Sequence, residues 1–373
     1  MQNHTAPQPN INDEREIRLQ KLHDFVESGI NPYPAKTPEK IAIAEALIAA
    51  EGTQVSIAGR IMTKRDMGKL TFCHVQDASG KMQIALKKDA LHDIPYNRFV
   101  DRIDSKDVFK IKDESFVKTD KDIMNKVKNR IKEDSLKEEQ YTLFIKKIDA
   151  GDIIHITGER FLTHKGEPSI LVATWQLLSK ALRPLPDKFH GIKDDEVRLR
   201  KRYLDLLQQE ELRHMFEKKA LFWEVVRSFM KEKGFFEVET PFLETTTGGA
   251  EATPFATHHN DFDLDVYLRI SVGELWQKRL MAAGFEKTFE IGRIFRNEGS
   301  SPDHLQEFTN MECYWAYADY EKGMALTQEL YQRIANDVFH TSKFETKGHT
   351  FDLSGEWPRI DYCTEVQKQT GVN

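Results

Sequence analysis

Residues 289–299 read FEIGRIFRNEG. Phe289, Ile291 and Ile294 suit a strand, yet Arg296 and Glu298 stand where that strand should bury itself. The return half lies close by. EFTNMECYWAYA (307–318) alternates in the same way, and a polar loop, GSSPDHLQ (299–306), separates the two. The pattern predicts a long-looped antiparallel hairpin with an arginine and a carboxylate at its mouth. Upstream, Leu212, Phe216, Ala220, Trp223, Val226 and Met230 recur at helical spacing and predict one apolar face. Gly234 ends that helix, and a strand runs on to Pro241. Helices joined to antiparallel strands give an α+β domain.

The N-terminal half has a different period. After a polar stretch, 1–12, helical spacing runs from Asp13 to Gly29. Five short strands follow: VSIAGRIM (55–62), LTFCHVQD (70–77), KMQIALKK (81–88), DIIHITGERFLT (152–163) and SILVATWQLLS (169–179). Five strands with polar turns predict a small closed barrel of the OB-fold kind, which binds oligonucleotides on one face; a generic barrel shares the spacing. Between the third and fourth strands lies a stretch, 92–140, with equal numbers of basic and acidic residues. Its apolar spacing predicts a solvated helical insertion, with contact to RNA as the alternative. The organisation read from these shifts is 1–50 tail and helices, 51–180 barrel with insertion, 181–200 linker and 201–373 second domain.

Composition narrows the function classes. The chain is 39% hydrophobic and 31% charged, with a net charge of −6, so any RNA binding must come from local patches and stacked bases rather than bulk attraction. Cys73, Cys313 and Cys363 form no CxxC pair, which argues against a zinc site or a disulfide framework. His258 and His259 are neighbours on a strand and point to opposite faces, so they are not expected to share a metal. The N-terminus lacks the layout of a secretory signal. The run IAIAEALIAA (41–50) contains Glu45 and is too short to span a bilayer. A cytoplasmic protein is expected.

KGFFEVETP (233–241), FRNEG (295–299) with EFTNME (307–312), and RPLPDKFHG (183–191) resemble class II aminoacyl-tRNA synthetases, most closely the lysine enzymes. KRYLDLL (201–207), GGAEATPFATHHNDFDLDVYLRI (248–270) and MECYWAYADY (311–320) support the likeness. The resemblance implies an N-terminal OB-fold β-barrel followed by an antiparallel β-sheet domain flanked by helices. It also implies formation of lysyl-adenylate from lysine and ATP with Mg²⁺, and transfer of lysine to tRNA(Lys). Arg296 would hold the amino-acid carboxylate and the α-phosphate together, because its planar fork is bidentate and always charged. Glu298 would accept from the adenine amino group, Phe308 would stack on the purine, and His304 would approach the terminal phosphates. For the amino acid, the resemblance assigns Gly248 and Gly249 to close backbone approach, Glu274 to the α-ammonium, and Glu312 and Tyr314 to the lysine side chain. On the barrel it assigns Arg65, Phe72, Gln83 and Glu167 to the anticodon, with uridines as the bases read. Motif one, within 212–241, would form a homodimer. Read without the family, Arg296–Glu298 is a surface ion pair, Tyr314 a half-buried strand aromatic and Phe72 a barrel-core residue.

Departures from the pattern set the alternatives. The family's third motif, a Gly-rich stretch closing on arginine, does not occur before Asn373, and the Mg²⁺ carboxylates are expected beyond it. The chain is therefore read as stopping inside the catalytic fold, either as a fragment or as a non-catalytic tRNA-binding paralogue. Thr253 stands where the lysine enzymes carry arginine, Asp303 precedes His304 in place of an arginine, and RISVGEL has one residue more than the lysine pattern. These features and HLQEF keep an aspartate- or asparagine-specific ligase open.

Overall fold

The computed structural model describes residues 13–91, 136–186 and 194–372. The polar stretch 1–12, nearly all of the 92–140 insertion and the centre of the linker lie outside the described residues. The chain divides into two compact units, 1–204 and 205–373.

The first unit opens with α1 (Glu14–Glu27), whose N-cap Asp13 accepts from Arg15 N at 2.9 Å, and the short α2 (Ile43–Ile48). Strands β1 (Gln54–Asp66), β2 (Leu70–Gln76), β3 (Lys81–Lys87), β4 (Ile153–Leu162) and β5 (Pro168–Ser179) close into a barrel in the order β1-β2-β3-β5-β4. Only β3 and β5 pair in parallel. Alternation does what the sequence pattern demands: Cys73, Val75, Met82 and Ile84 are buried, while Phe72, His74 and Gln83 lie on the opposite, half-exposed side of β2 and β3. Phe72 is therefore not barrel core. Strand crowding fixes one glycine, since a Cβ on Gly158 would lie 2.1 Å from Leu171 O. Helix α3 (Leu136–Lys147) adds Phe144 to the core. Lys64 Nζ donates to Ile145 O in its last turn and, at 3.0 Å, to Ile148 O just past its end. Burial pulls the Lys64 pKa below that of an ordinary lysine.

Short helices α4 (Asp195–Arg200) and α5 (Arg202–Gln208) lead to the long α6 (Glu210–Glu232) of the second unit. Then come β6 (Phe236–Glu237), β7 (Leu243–Glu244), β8 (Ala256–His259), β9 (Leu264–Leu268), α7 (Glu274–Ala282), β10 (Lys287–Phe295), β11 (Glu307–Trp315) and α8 (Tyr320–Ile334). A hairpin, β12 (Lys343–Thr346) and β13 (His349–Asp352), and α9 (Tyr362–Thr370) complete the described part. The sheets are β11-β10-β6 and β7-β9-β8, antiparallel apart from the short β6–β10 pair.

The hairpin predicted from FEIGRIFRNEG is β10–β11, in register from Lys287↔Trp315 to Phe295↔Glu307. Its two faces differ sharply. Phe289, Ile291, Met311, Cys313 and Trp315 pack against Val226, Phe229 and Met230 of α6 and Leu330 and Ile334 of α8. The other face carries Thr288, Glu290 and Gly292 opposite Tyr314, Glu312 and Asn310, and then Ile294 opposite Phe308. The expected α6 face is buried only in its C-terminal half. Phe216 is 41% exposed, because the sheet and α8 cover only the last turns. Among the described residues no helix is long and apolar enough to cross a membrane.

Candidate functional site

The polar face of the hairpin is organised by one segment, Arg269–Glu274, between β9 and α7. Arg269 is the largest fully buried side chain; its Nη1 meets Glu290 Oε1 at 2.5 Å, and its Nε donates to Arg293 O at 2.8 Å. Thr240 Oγ1 donates to Glu290 Oε2 at 2.7 Å, and the guanidinium lies 3.8 Å over the Phe242 ring. Two adaptations make room for this pair. A Cβ on Gly292 would come within 2.0 Å of Arg269 Nη2, and one on Gly273 within 2.2 Å of Thr240 Oγ1. Arg269 thus ties the loop to the sheet.

From that anchor each following residue holds part of the site. Ile270 O receives Arg296 Nε at 3.4 Å, Ser271 Oγ donates to Gly248 O at 3.1 Å, and Val272 N donates to Glu312 Oε1 at 2.9 Å. Gly273, at φ +63°, turns the chain into α7, whose first residue is Glu274. Gly249 has φ +91°, and a Cβ there would lie 2.2 Å from Ser271 Oγ and 2.7 Å from Glu274 Oε2. The two glycines therefore let the 248–249 backbone lie against the Glu274 carboxylate, whose Oε1 is held by Lys278 Nζ at 2.5 Å.

Tyr314 is brought near both Glu274 and Glu312. Burial, and then the negative charge of Glu274 and Glu312, push its hydroxyl up to about 12, so it stays a neutral donor beside two carboxylates. Glu312 also accepts from Asn310 Nδ2 at 3.3 Å. Beneath it, fully buried Gln277 bonds Val272 O at 2.9 Å and accepts from Thr288 Oγ1 at 2.9 Å.

Arg296 follows the last residue of β10. Its backbone N–H donates to Gln306 O at 2.8 Å, which closes the loop, and its guanidinium stands 5.5 Å over the Phe308 ring. Arg296 and Glu298 are not an ion pair: Glu298 Oε1 accepts Thr253 N at 3.2 Å, while Asn297 N donates to Thr253 O at 2.8 Å. His304 sits in the exposed loop, with Nδ1 2.7 Å from Ser301 Oγ. The structure thus groups Glu274, Glu312 and Tyr314, and Arg296 with Phe308. Sequence reasoning missed Arg269, Glu290, Thr240, Ser271 and Gln277. Glu290 gave a signal, as a charge in the middle of an apolar strand.

His258 bonds Asp265 Oδ1 at 2.9 Å, and its neighbour His259 faces Phe262, with ring centres 4.6 Å apart. Among the described residues no group of three or more His, Cys, Asp or Glu side chains is placed to hold a metal ion.

On the barrel, Arg65 pairs with Phe72 across β1 and β2, and His74 pairs with Gln83 across β2 and β3. Glu167, just before β5, accepts from Gln83 Nε2 at 2.8 Å. Gln83, Glu167 and Phe72 share one patch of the outer face; Arg65 lies at its exposed edge.

Residues 194–373 match the family of tRNA synthetases class II (D, K and N), and residues 55–113 match the OB-fold nucleic acid binding domain. The chain is 37% identical over 369 residues to a lysine–tRNA ligase of Roseiflexus sp. (strain RS-1). It is 38% identical over 376 residues to that of Staphylococcus haemolyticus and 38% over 366 residues to that of Pelotomaculum thermopropionicum. Each match covers 97% of this chain, and the chain spans 66%, 66% and 63% of those relatives' lengths, just under two thirds.

Proposed function

Because the chain belongs to the class II tRNA synthetases (D, K and N), with an OB-fold nucleic acid binding domain ahead of the synthetase domain, we propose that it acts in ligating lysine to tRNA(Lys) through lysyl-adenylate. The observation that carries lysine specificity is the placement of Tyr314 beside Glu274 and Glu312. Two carboxylates and a neutral hydroxyl complement a substrate with two ammonium groups and disfavour an acidic side chain. That argues against the aspartate reading.

In this reading lysine lies over Gly248–Gly249 with its α-ammonium on Glu274 and its side-chain ammonium towards Glu312 and Tyr314. Its carboxylate and the α-phosphate of ATP are both anions, so they approach only if a cation stands between them. Arg296, fixed by the hairpin register and by Ile270 O, supplies that cation. A carboxylate oxygen then attacks the α-phosphorus, a P–O bond to pyrophosphate breaks, and lysyl-adenylate forms. A terminal ribose hydroxyl of tRNA attacks the acyl carbon in turn, and AMP leaves with the bonding electrons. The protein's part is positioning and charge, with no protein nucleophile. Phe308 stacks on adenine, the unbonded lone pairs of Glu298 accept its amino group, and His304 approaches the outer phosphates. Mg²⁺ entering with ATP neutralises phosphate charge.

On the barrel, Phe72 stacks an anticodon base while Arg65, Gln83 and Glu167 address its edge and phosphate. Exposed Met215, Phe216 and Leu221 on α6 and Phe236 beyond it support a homodimer through 212–241. The protein works in the cytoplasm. Pyrophosphate exchange tests the reading: exchange driven by lysine is expected. Exchange driven by aspartate or asparagine instead refutes it.

A further inference from the structure

On the barrel face, His74 joins a chain of hydrogen bonds that links four strands, β1, β2, β3 and β5. Thr63 Oγ1 lies 2.8 Å from His74 Nδ1, and His74 Nε2 lies 3.1 Å from Glu167 Oε1. Gln83 Nε2 lies 2.8 Å from Glu167 Oε2, and Ser169 Oγ 2.9 Å from Gln83 Oε1. The chemistry sets every direction. A carboxylate only accepts, so the His74 ring presents Nε2–H to Glu167 and Gln83 presents its amide N–H. In the neutral ring Nδ1 is then the acceptor, and the Thr63 hydroxyl donates to it. The carbonyl end of Gln83 accepts from the Ser169 hydroxyl, and a flipped amide would set its oxygen against the Glu167 carboxylate, so the orientation is fixed.

The result is an ordered pair. Gln83 keeps one amide hydrogen free, and Glu167, with its side chain 47% exposed, keeps free lone pairs beside it. A donor followed by an acceptor matches O4 and N3–H of uracil. Cytosine offers the reverse order, an amino donor and then a ring acceptor. The discrimination lasts only while Glu167 is held in place, since a carboxylate free to swing can follow the amino group of cytosine. Gln83 alone does not hold it, because one contact leaves rotation about the bond to the carboxylate. His74, one-third exposed and gripped from behind by Thr63, is the second point.

We propose that His74 is a positioning residue for base recognition on the barrel: it locks Glu167 so that the Gln83–Glu167 pair accepts uracil and rejects cytosine. The proposal rests on the tRNA-binding reading above and adds a residue to it.

The test measures binding of the whole chain to an RNA hairpin presenting UUU in its loop, and to counterparts in which each U in turn is C. The wild-type chain should prefer U at one position. His74→Ala should lower that U-to-C ratio about tenfold, the loss of one charge-assisted hydrogen bond, while affinity for the UUU hairpin changes less. His74→Gln, which keeps an N–H for Glu167, should restore most of the ratio. Thr63→Val, which leaves the ring in place, should lower it partly. A purely structural His74 would weaken all hairpins alike. An unchanged ratio in both His74→Ala and Thr63→Val overturns the proposal and leaves the tRNA reading standing. If no hairpin binds, that reading falls too.

Discussion

Neutralising Glu290 should cost more stability than any surface change in the second unit. Arg269 and Glu290 have side chains 0% and 4% exposed and meet at 2.5 Å. Glu290→Gln leaves the guanidinium buried with only neutral partners: Arg293 O, Thr240 O and Thr240 Oγ1. It also sets an amide N–H₂ against the Thr240 hydroxyl, or turns the amide so that its N–H₂ faces Arg269. Breaking a buried pair costs roughly 3–5 kcal/mol, and the acceptor that Gln keeps places this case near the lower end, at about 3 kcal/mol. Arg269→Met strands the carboxylate instead and should cost a similar amount. The double variant Arg269→Met/Glu290→Leu removes both charges of the pair together. It should lose far less than the sum, with a coupling of about 2 kcal/mol or more. Urea unfolding followed by tryptophan fluorescence measures all three; Trp315 reports from the back of the same sheet. Pyrophosphate exchange separates packing from positioning. The double variant should fold yet exchange at least about tenfold more slowly, because the side-chain tie that sets Ile270 O against Arg296 and Val272 N against Glu312 is then lost. A Glu290→Gln cost below about 1 kcal/mol, or strictly additive losses, would refute the reasoning.

Other outcomes follow from the same geometry. Gly249→Ala forces a side chain into φ +91° against Ser271 Oγ and should raise the lysine KM about tenfold or more. Gly284→Ala, at φ +96° with nothing within 4 Å of the new Cβ, pays only backbone strain and should leave KM unchanged. An equal effect in both would show that the Gly249 contact is irrelevant. Glu312→Gln keeps an acceptor for Val272 N but loses the charge, so lysine should bind about 10- to 100-fold more weakly with little change in urea midpoint. Equal binding before and after would remove Glu312 from the pocket. His155, 4% exposed with Nε2 2.8 Å from Ser56 Oγ, is held by burial below the ordinary histidine pKa. The unfolded chain takes up its proton first, so barrel stability should fall as pH drops below about 6.5, and His155→Gln should flatten that slope in urea titrations. A slope unchanged by the substitution contradicts this.

The sequence discloses some of these features and hides others for physical reasons. The barrel strands were readable because a closed sheet with one buried face imposes period two on every strand, and the same alternation places Phe72, His74 and Gln83 outside once Cys73 and Val75 are inside. The α6 face was readable in period but not in extent, since the length of a helical stripe does not say how far its cover reaches. Partnerships across long separations were not readable. Glu167 meets His74 and Gln83 from a turn, KGE, that looks like an ordinary polar hairpin. Yet the buried Arg269–Glu290 pair left a trace. A carboxylate at Glu290, in the centre of an apolar strand, cannot be tolerated without a cation, and YLRI supplies one in a strand that should be equally apolar. Two misplaced charges of opposite sign, one within β10 and one just past the end of β9, therefore predict each other. The glycine beside Glu290's face, Gly292, predicts where the larger of the two must lie, because only a missing Cβ leaves room for a guanidinium against the sheet. On that argument Arg296 differs from Arg269 in one respect: β10 ends before it, so its side chain is not buried against a carboxylate of the sheet, as the proposed role in holding two anions requires.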